Sequence, residues 1–413
     1  MEIKQLKLIH YRNYDQGLFS FTGGTNIIYG NNGQGKTNLL ESIFVLCRGY
    51  SHRSNKITDL IRFGDDAMSI QASFRTADSA HRIRLTASSG RKKWELDGKT
   101  ESGFQRISRL TGCILFEPDD LEIVKAGPER RRSFINEELS GLNPVYRSSL
   151  RNYERVRSQR NALLKDIRFR RLSQAEAAAL LSPWNSQLAD AAESIFKDRA
   201  DYLLKLNREA KKLHHKMSGT DETLSLEYQS NVFSDFRDLE KIRSIYLKKL
   251  DENLASDIER GHTAAGPHAD ELVVKINGVP ARQFASQGQQ RTAAISLKLA
   301  HIELYREKNG EAPVVLLDDI LSELDARRQK NLLSVLRNAQ SFITCTDPAF
   351  ADTIARGTID AGKQAATEDS DQAAGDSDSH QTAEMCVSDS DLSQSICKYQ
   401  ICSGKLIQEH DPD

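Results

Sequence analysis

The chain has 413 residues, 38% of them apolar and 28% charged, enough for two or three structural units with a substantial core. No stretch approaches the roughly 18–20 continuous apolar residues of a membrane span, and the opening MEIKQLKLIHYRNY alternates polar and apolar residues where a signal peptide has an apolar centre. Six cysteines fall without metal-ligand pairs or a small disulfide framework, so a cytoplasmic chain with reduced thiols and no membrane partner is expected.

Residues 1–30 read as short strands, IKQLKLIHY and then LFSFTGGTNIIYG with its Gly-Gly turn. NLLESIFVLCRGY (38–50) has helical apolar spacing, residues 67–98 alternate like hairpin strands, and GCILFEPDDLEIV (112–124) is a buried strand followed by a turn. Residues 1–127 are therefore expected to form the first part of an α/β head. From 128 to 260 the texture changes to long charged stretches with an apolar residue every three or four positions, which predicts a helical, partly coiled-coil-like insertion. Strand and turn character returns over 261–362, expected to be the second part of the head, with ELVVKINGVPARQF, a helix from about Gly288, the buried strand PVVLLDD (313–319), a helix around 325–339 and the strand SFITCTD (341–347). Residues 363–395 are Asp- and Ser-rich, a composition that does not offset its ordering entropy and predicts a disordered insertion. A terminal strand and tail occupy 396–413.

Charge is unevenly placed along this order. From Lys363 to Asp413 there are eleven Asp or Glu and three Lys, a net of −8 within a total of −1, so residues 1–362 carry about +7. A basic body with an acidic tail points to a polyanionic partner for the body.

The motif with the most chemistry is IIYGNNGQGKTNLL. Gly30, Gly35, Lys36 and Thr37 fit G-x-x-x-x-G-K-[ST] between an apolar β-rich run and a helix. In such a loop the backbone N–H groups curl around phosphate oxygens, a lysine reaches the β- and γ-phosphates, and a hydroxyl ligates Mg²⁺. ATP is the expected cofactor, held by Gly30, Asn31, Asn32, Gly33, Gln34, Gly35, Lys36, Thr37 and Asn38. PVVLLDDI supplies the carboxylates: Asp318 would hold Mg²⁺ through water beside Thr37, and Asp319 would orient or deprotonate the attacking water. Lys36, Asp318 and Asp319 are thus the expected catalytic set. Roughly 280 residues separate Lys36 from Asp318, so a large insertion splits this nucleotide domain. A third segment, SQGQQRT (286–292), reads locally as an N-capped helix start with a polar first turn.

Several stretches together resemble the RecF family of SMC-like, ABC-type ATPases: LKLIHYRNY (6–14), GNNGQGKTNLLESI (30–43), LFEPDDLEIVKAGPERRRSF (115–134), GPHADEL (266–272), SQGQQRT (286–292) and LLDDILSELD (316–325). The resemblance implies that the Ser-x-Gly-Gln motif, Ser286 with Gly288 and Gln289, touches the γ-phosphate held by a second copy of the chain. It also implies that SELD (322–325) crosses the same interface, and that Arg12 and Asn13 contact the nucleotide. It further implies an ATP-dependent homodimer that binds double-stranded DNA near single-strand gaps, hydrolyses ATP weakly under DNA stimulation, and works with RecR and RecO to load RecA in DNA replication, DNA-damage repair and the SOS response. A scaffold or tethering head with negligible turnover is the alternative.

The chain departs from the wider pattern in places. Asp319 stands where many relatives have Glu, consistent with slow turnover; Glu117 falls at the Q-loop position; and TCTD offers Thr346 or Asp347 in place of the H-loop histidine. His268 in GPHAD reads as a structural hydrogen-bonding residue. The expected DNA surface is the helical arm, where residues 151–172 hold eight Lys or Arg against Glu154 and Asp166, net +6, and where ERRR (129–132) adds a second cluster. Such cations bind phosphates without base readout.

Overall fold

Alternating apolar residues in Ala67–Arg75 and Ala80–Ser88 put one face of a sheet into a core and leave the other in water. The computed structural model describes residues 1–219, 221–356, 396–402 and 404–409. The acidic stretch 363–395 and residues 410–413 of the expected tail lie outside them. The chain divides into two compact units, 1–119 with 305–413, and 120–304. The first is thus assembled from both ends of the chain, and the second contains the helical stretch 128–260 together with its flanks.

Among the described residues the first unit holds two sheets. One is antiparallel, in the order Tyr14–Ser20, Glu2–Tyr11, Ala67–Arg75, Ala80–Ser88, Arg91–Leu96, Lys99–Glu101. The other runs Lys405–Glu409, Ile396–Cys402, Thr25–Tyr29, Ser341–Cys345, Val314–Leu317, Cys113–Phe116, parallel except for the hairpin at its first edge. Its central strands Thr25–Tyr29, Ser341–Cys345 and Val314–Leu317 are buried at every position, as expected of parallel strands covered on both faces. Helix Lys36–Arg48 joins the two sheets in one core, where Leu39, Leu40 and Ile43 meet Leu6, Phe74 and Ile83 from one sheet and Ile28, Leu316 and Tyr399 from the other. Ile396–Cys402 is paired in parallel with Thr25–Tyr29, so a strand from the far end of the sequence flanks the one that leads into the P-loop.

The second unit is mainly helical. Pro144–Arg170 is N-capped by Asn143, and Gln174–Ser218 opens with a capping box between Ser173 and Glu176. Contacts Ser149–Ser194 and Arg160–Asn185 show the two helices running antiparallel. Buried Tyr153, Val156, Arg160, Leu164 and Ile167 follow one another at spacings of three and four, the seam of a coiled-coil-like pair. A small antiparallel sheet, Val279–Pro280, Glu271–Ile276 and Leu224–Gln229, completes the unit. Helix Gln287–Asn309 starts here and ends in the first unit. Among the described residues no helix is long and apolar enough to cross a membrane.

Candidate functional site

The buried strand Thr25–Tyr29 delivers the chain to Gly30, where φ is +144° and a Cβ would lie 2.5 Å from the carbonyl oxygen of Ile401. Only glycine fits between that backbone and the turn that follows. The loop closes at Gly35, φ +117°, where a Cβ would meet Asn13 Nδ2 at 2.7 Å and the Tyr14 hydroxyl at 2.8 Å. Those two side chains brace the loop from outside. Asn13 Nδ2 donates to Gln34 O at 2.9 Å, Tyr14 OH donates to Gly35 O at 2.9 Å, and Asn13 Oδ1 accepts from Asn38 Nδ2 at 2.8 Å.

Helix Lys36–Arg48 begins directly behind the loop, so its free N–H groups and positive dipole end face the same space. Lys36 folds back along the loop, with Nζ donating to Gly30 O at 2.6 Å and Asn31 O at 3.0 Å. Burial lowers its pKa, while Asp319 and Asp318 pull the other way. Thr37 Oγ1 donates to Asp318 Oδ1 at 3.1 Å, although 281 residues separate them in sequence. Parallel pairing of Val314–Leu317 with Cys113–Phe116 and Ser341–Cys345 carries Asp318 to the loop. Asp319 follows with a left-handed φ of +52°, its N–H on Thr344 Oγ1 at 2.9 Å and its Oδ1 accepting from Ser322 Oγ at 3.1 Å.

Asn32, Lys36, Thr37, Asp318 and Asp319 border one cavity of about 280 Å³. A glycine-rich cradle, a lysine and two adjacent hard oxygens fit a nucleotide polyphosphate with Mg²⁺, which takes one or two carboxylates plus substrate phosphates.

Thr344 and Arg53 also border this cavity, and neither was expected from the sequence. Thr344 donates to Asp318 Oδ1 at 2.8 Å, whereas Thr346 and Asp347, the residues offered for the H-loop position, are exposed past the strand end, and Asp347 Oδ1 accepts from Ala349 N. Arg53 Nη1 donates to Asn38 Oδ1 at 2.8 Å. Arg12 is bound to Glu41 of the same helix through Nε and Nη2 and to Asp59 O through Nη1, so in this structure it supports the helix behind the loop. Glu117 follows Phe116 at the strand end beside Asp318, with its carboxylate 3.8 Å from His52.

The second unit holds the Ser-x-Gly-Gln segment. Ser286 Oγ accepts from Gln289 N at 3.2 Å while Gln289 Oε1 accepts from Ser286 N at 2.8 Å, a reciprocal cap at the start of Gln287–Asn309. Ser286 and Gln287 are exposed, Gly288 is half-buried, and Phe284 stands 70% exposed just before them. In the same unit two arginines of the expected DNA surface prove internal. Arg160 is fully buried on Asp257, Asn185 and Thr263, and Arg131 is bound to Glu271 and the carbonyls of Val124 and Ala126. His268 has both ring nitrogens hydrogen-bonded, one to Tyr153 OH at 2.6 Å and the other to Thr263 O at 2.9 Å.

Residues 2–358 match the family model of the RecF/RecN/SMC N terminal domain. The DNA replication and repair protein RecF of Acetivibrio thermocellus is 36% identical over 351 residues, 84% of this chain and 94% of that protein. A solved structure of the recombination mediator protein RecF with ATP, from the RecFOR pathway, has a TM-score of 0.81 and 30% identity, covering 99% of this chain and 98% of that one. A crystal structure of the Smc head bound to the C-winged helix domain of ScpA has a TM-score of 0.54 at 14% identity over 99% of this chain and 98% of that one, a likeness of fold alone.

Proposed function

The chain belongs to the RecF family of DNA replication and repair proteins, with the α/β head of SMC-like, ABC-type ATPases, and from that premise we propose that it is an ATP-gated DNA-binding dimer. The observation that carries this reading is the Thr37–Asp318 contact beside the Gly30–Thr37 loop, which joins hydroxyl, carboxylate and phosphate cradle in one cavity. Gly30 through Asn38 wrap the phosphates of ATP, Lys36 neutralises them, and Asn13 holds the loop in shape. Thr37 and Asp318 would hold Mg²⁺, which supplies charge neutralisation between the phosphates when bound. Asp319 orients the attacking water, and its side chain, one methylene shorter than Glu, suits a slow switch.

Ser286, Gly288 and Gln289 complete the phosphate site of a second copy, since an exposed helix start offers a hydroxyl and N–H groups to an oxyanion. The relative solved with ATP supports the choice of nucleotide. Exposed arm cations supply duplex affinity near single-strand gaps, and DNA stimulates the weak ATPase. By family, RecR, RecO and RecA are the partners and the cytoplasm is the compartment.

Sizing by light scattering with ADP, with ATP, and with ATP plus gapped duplex tests this. ATP should yield a dimer that Lys36→Met abolishes together with ATP binding. Ser286→Arg should abolish the dimer while leaving ATP binding intact. A dimer that persists in both variants would sink the mechanism, and negligible hydrolysis with gapped duplex would favour the tethering head.

A further inference from the structure

The helical unit contains a second polar cavity, of about 350 Å³, bordered by Arg132 and Asn136 of helix Pro128–Leu142, Tyr153 and Arg157 of helix Pro144–Arg170, Arg199 of helix Gln174–Ser218, and His268. Its wall is rich in donors whose hydrogen-bonding capacity the protein leaves unfilled. Asn136 Oδ1 accepts from Tyr146 OH at 2.7 Å and from Arg199 Nη2 at 2.8 Å, which fills both lone pairs and fixes the amide orientation. Its Nδ2 then has no acceptor among the described residues. Arg132 commits Nη1 to Asp270 O, and Arg157 commits Nη2 to Glu154. A guanidinium carries five N–H donors, so most of those on Arg132 and Arg157 remain for a ligand.

The electrostatics agree with the donor pattern. A carbonyl only accepts, so His268 Nε2 carries the proton shared with Thr263 O and Nδ1 accepts from Tyr153. Burial first, then the charges of Arg157, Arg132 and Arg199, push its pKa down to about 4. Two carboxylates, Glu129 and Glu154, also reach the wall, but both are exposed and Glu154 is already paired with Arg157. Arg199, buried and hydrogen-bonded at Nε, Nη1 and Nη2, holds Asn136 and Pro267 O in place and makes the wall rigid.

We propose that this cavity is a phosphate-binding site separate from the P-loop, in which Arg132 and Arg157 take the oxyanion and Asn136 Nδ2 adds a directed donor. Paired guanidinium forks with a neutral N–H suit a tetrahedral oxyanion better than a planar amide or an apolar ligand. The phosphate comes from the duplex backbone or from a free phosphate compound. The first source rests on the DNA-binding reading above.

Two variants of the full chain test it, the first of them isosteric. Asn136→Asp keeps the acceptor for Arg199 and Tyr146 but turns the free donor into a carboxylate oxygen, and Arg157→Gln removes one fork. Thermal melting checks that both fold. Inorganic phosphate is titrated by ³¹P line broadening with the P-loop saturated by ADP, and a short duplex by fluorescence anisotropy across salt with ATP bound. Each variant should weaken phosphate binding about tenfold or more. If the phosphate is DNA's, duplex affinity also falls and the slope of log K against log salt drops by about 0.9 per lost contact. Loss confined to inorganic phosphate assigns the site to a free phosphate compound. Unchanged phosphate and duplex binding in both variants would overturn the proposal. A wild type that ignores duplex but broadens phosphate would refute the DNA reading alone.

Discussion

The guanidinium of Arg12 grips the carboxylate of Glu41 through two hydrogen bonds, Nε to Oε2 at 2.8 Å and Nη2 to Oε1 at 2.6 Å. Glu41 is fully buried on the helix that starts at Lys36, and it also accepts from Tyr11 OH at 3.0 Å and Ser51 Oγ at 2.6 Å. The pair therefore anchors the helix whose first residues face the nucleotide cavity. Fixing that helix fixes Lys36 and Thr37.

Arg12→Gln leaves buried Glu41 with only the longer pairing to Arg53 at 3.7 Å, which should lower stability by about 3 kcal/mol at neutral pH. Burial alone would raise the pKa of Glu41, but hydrogen bonds from Arg12 and Ser51 outweigh it and the net shift is downward. A carboxylate lowered in the fold stabilises above its unfolded pKa, and that contribution fades as pH falls through the folded value. Urea unfolding should thus show a wide gap between wild type and variant at pH 7 that narrows in acid. Equal midpoints at pH 7 would contradict the anchoring role.

Arg160 and Arg155 lie five residues apart on one basic helix but should respond oppositely to substitution. Arg160 is bound to Asp257 at 2.8 Å with both side chains at 0% exposure. Arg160→Leu strands the Asp257 charge and should cost about 3–5 kcal/mol in chemical denaturation. Arg155 is exposed, holding Gln159 and Asn152. Arg155→Ala should shift stability by no more than about 0.5 kcal/mol and show itself only in the salt dependence of duplex binding. Comparable losses of stability in the two variants would refute the distinction.

Glycines of one loop should differ in the same way. Gly30→Ala drives a methyl group to 2.5 Å from Ile401 O, so the strand Ile396–Cys402 must move from Thr25–Tyr29. Gly33 has φ +78° and nothing within 4 Å of its ideal Cβ, so Gly33→Ala meets only the left-handed backbone penalty of about 1–2 kcal/mol. ATP binding by calorimetry should survive better in Gly33→Ala than in Gly30→Ala, and the reverse order would count against the packing at Ile401.

Local pattern made much of this legible. The P-loop spacing placed Lys36 and Thr37, and a buried strand ending in two acids placed Asp318 at their side, because strand ends and helix starts are set by neighbours in sequence. Thr344 is not legible in the sequence, since a threonine in an apolar strand carries no local mark and its partner Asp318 lies 26 residues upstream. By charge alone Arg160 reads as a surface cation, because its acid, Asp257, is 97 residues away. Its phase with Tyr153, Val156, Leu164 and Ile167 nevertheless puts it on the buried stripe. The Ser286 cap was readable from residue type alone, and the structure adds the reciprocal bond from Ser286 N to Gln289.

His268 makes the fold sensitive to mild acid. Its pKa falls to about 4, through burial and then the nearby arginines, from an unfolded value of about 6.5. The unfolded chain therefore binds a proton between those values that the folded chain refuses. The stabilisation is complete above about pH 6.5 and is lost as pH falls toward 4. At pH 5 the loss should be about 2 kcal/mol, from roughly 1.5 pH units at about 1.4 kcal/mol each. His268→Gln keeps a donor for Thr263 O but does not titrate. Between pH 7 and pH 5 the wild type should lose about 2 kcal/mol more than this variant in urea unfolding. If the two lose stability in parallel, His268 is protonated in the fold as readily as in the unfolded chain, and the positive field around it is absent.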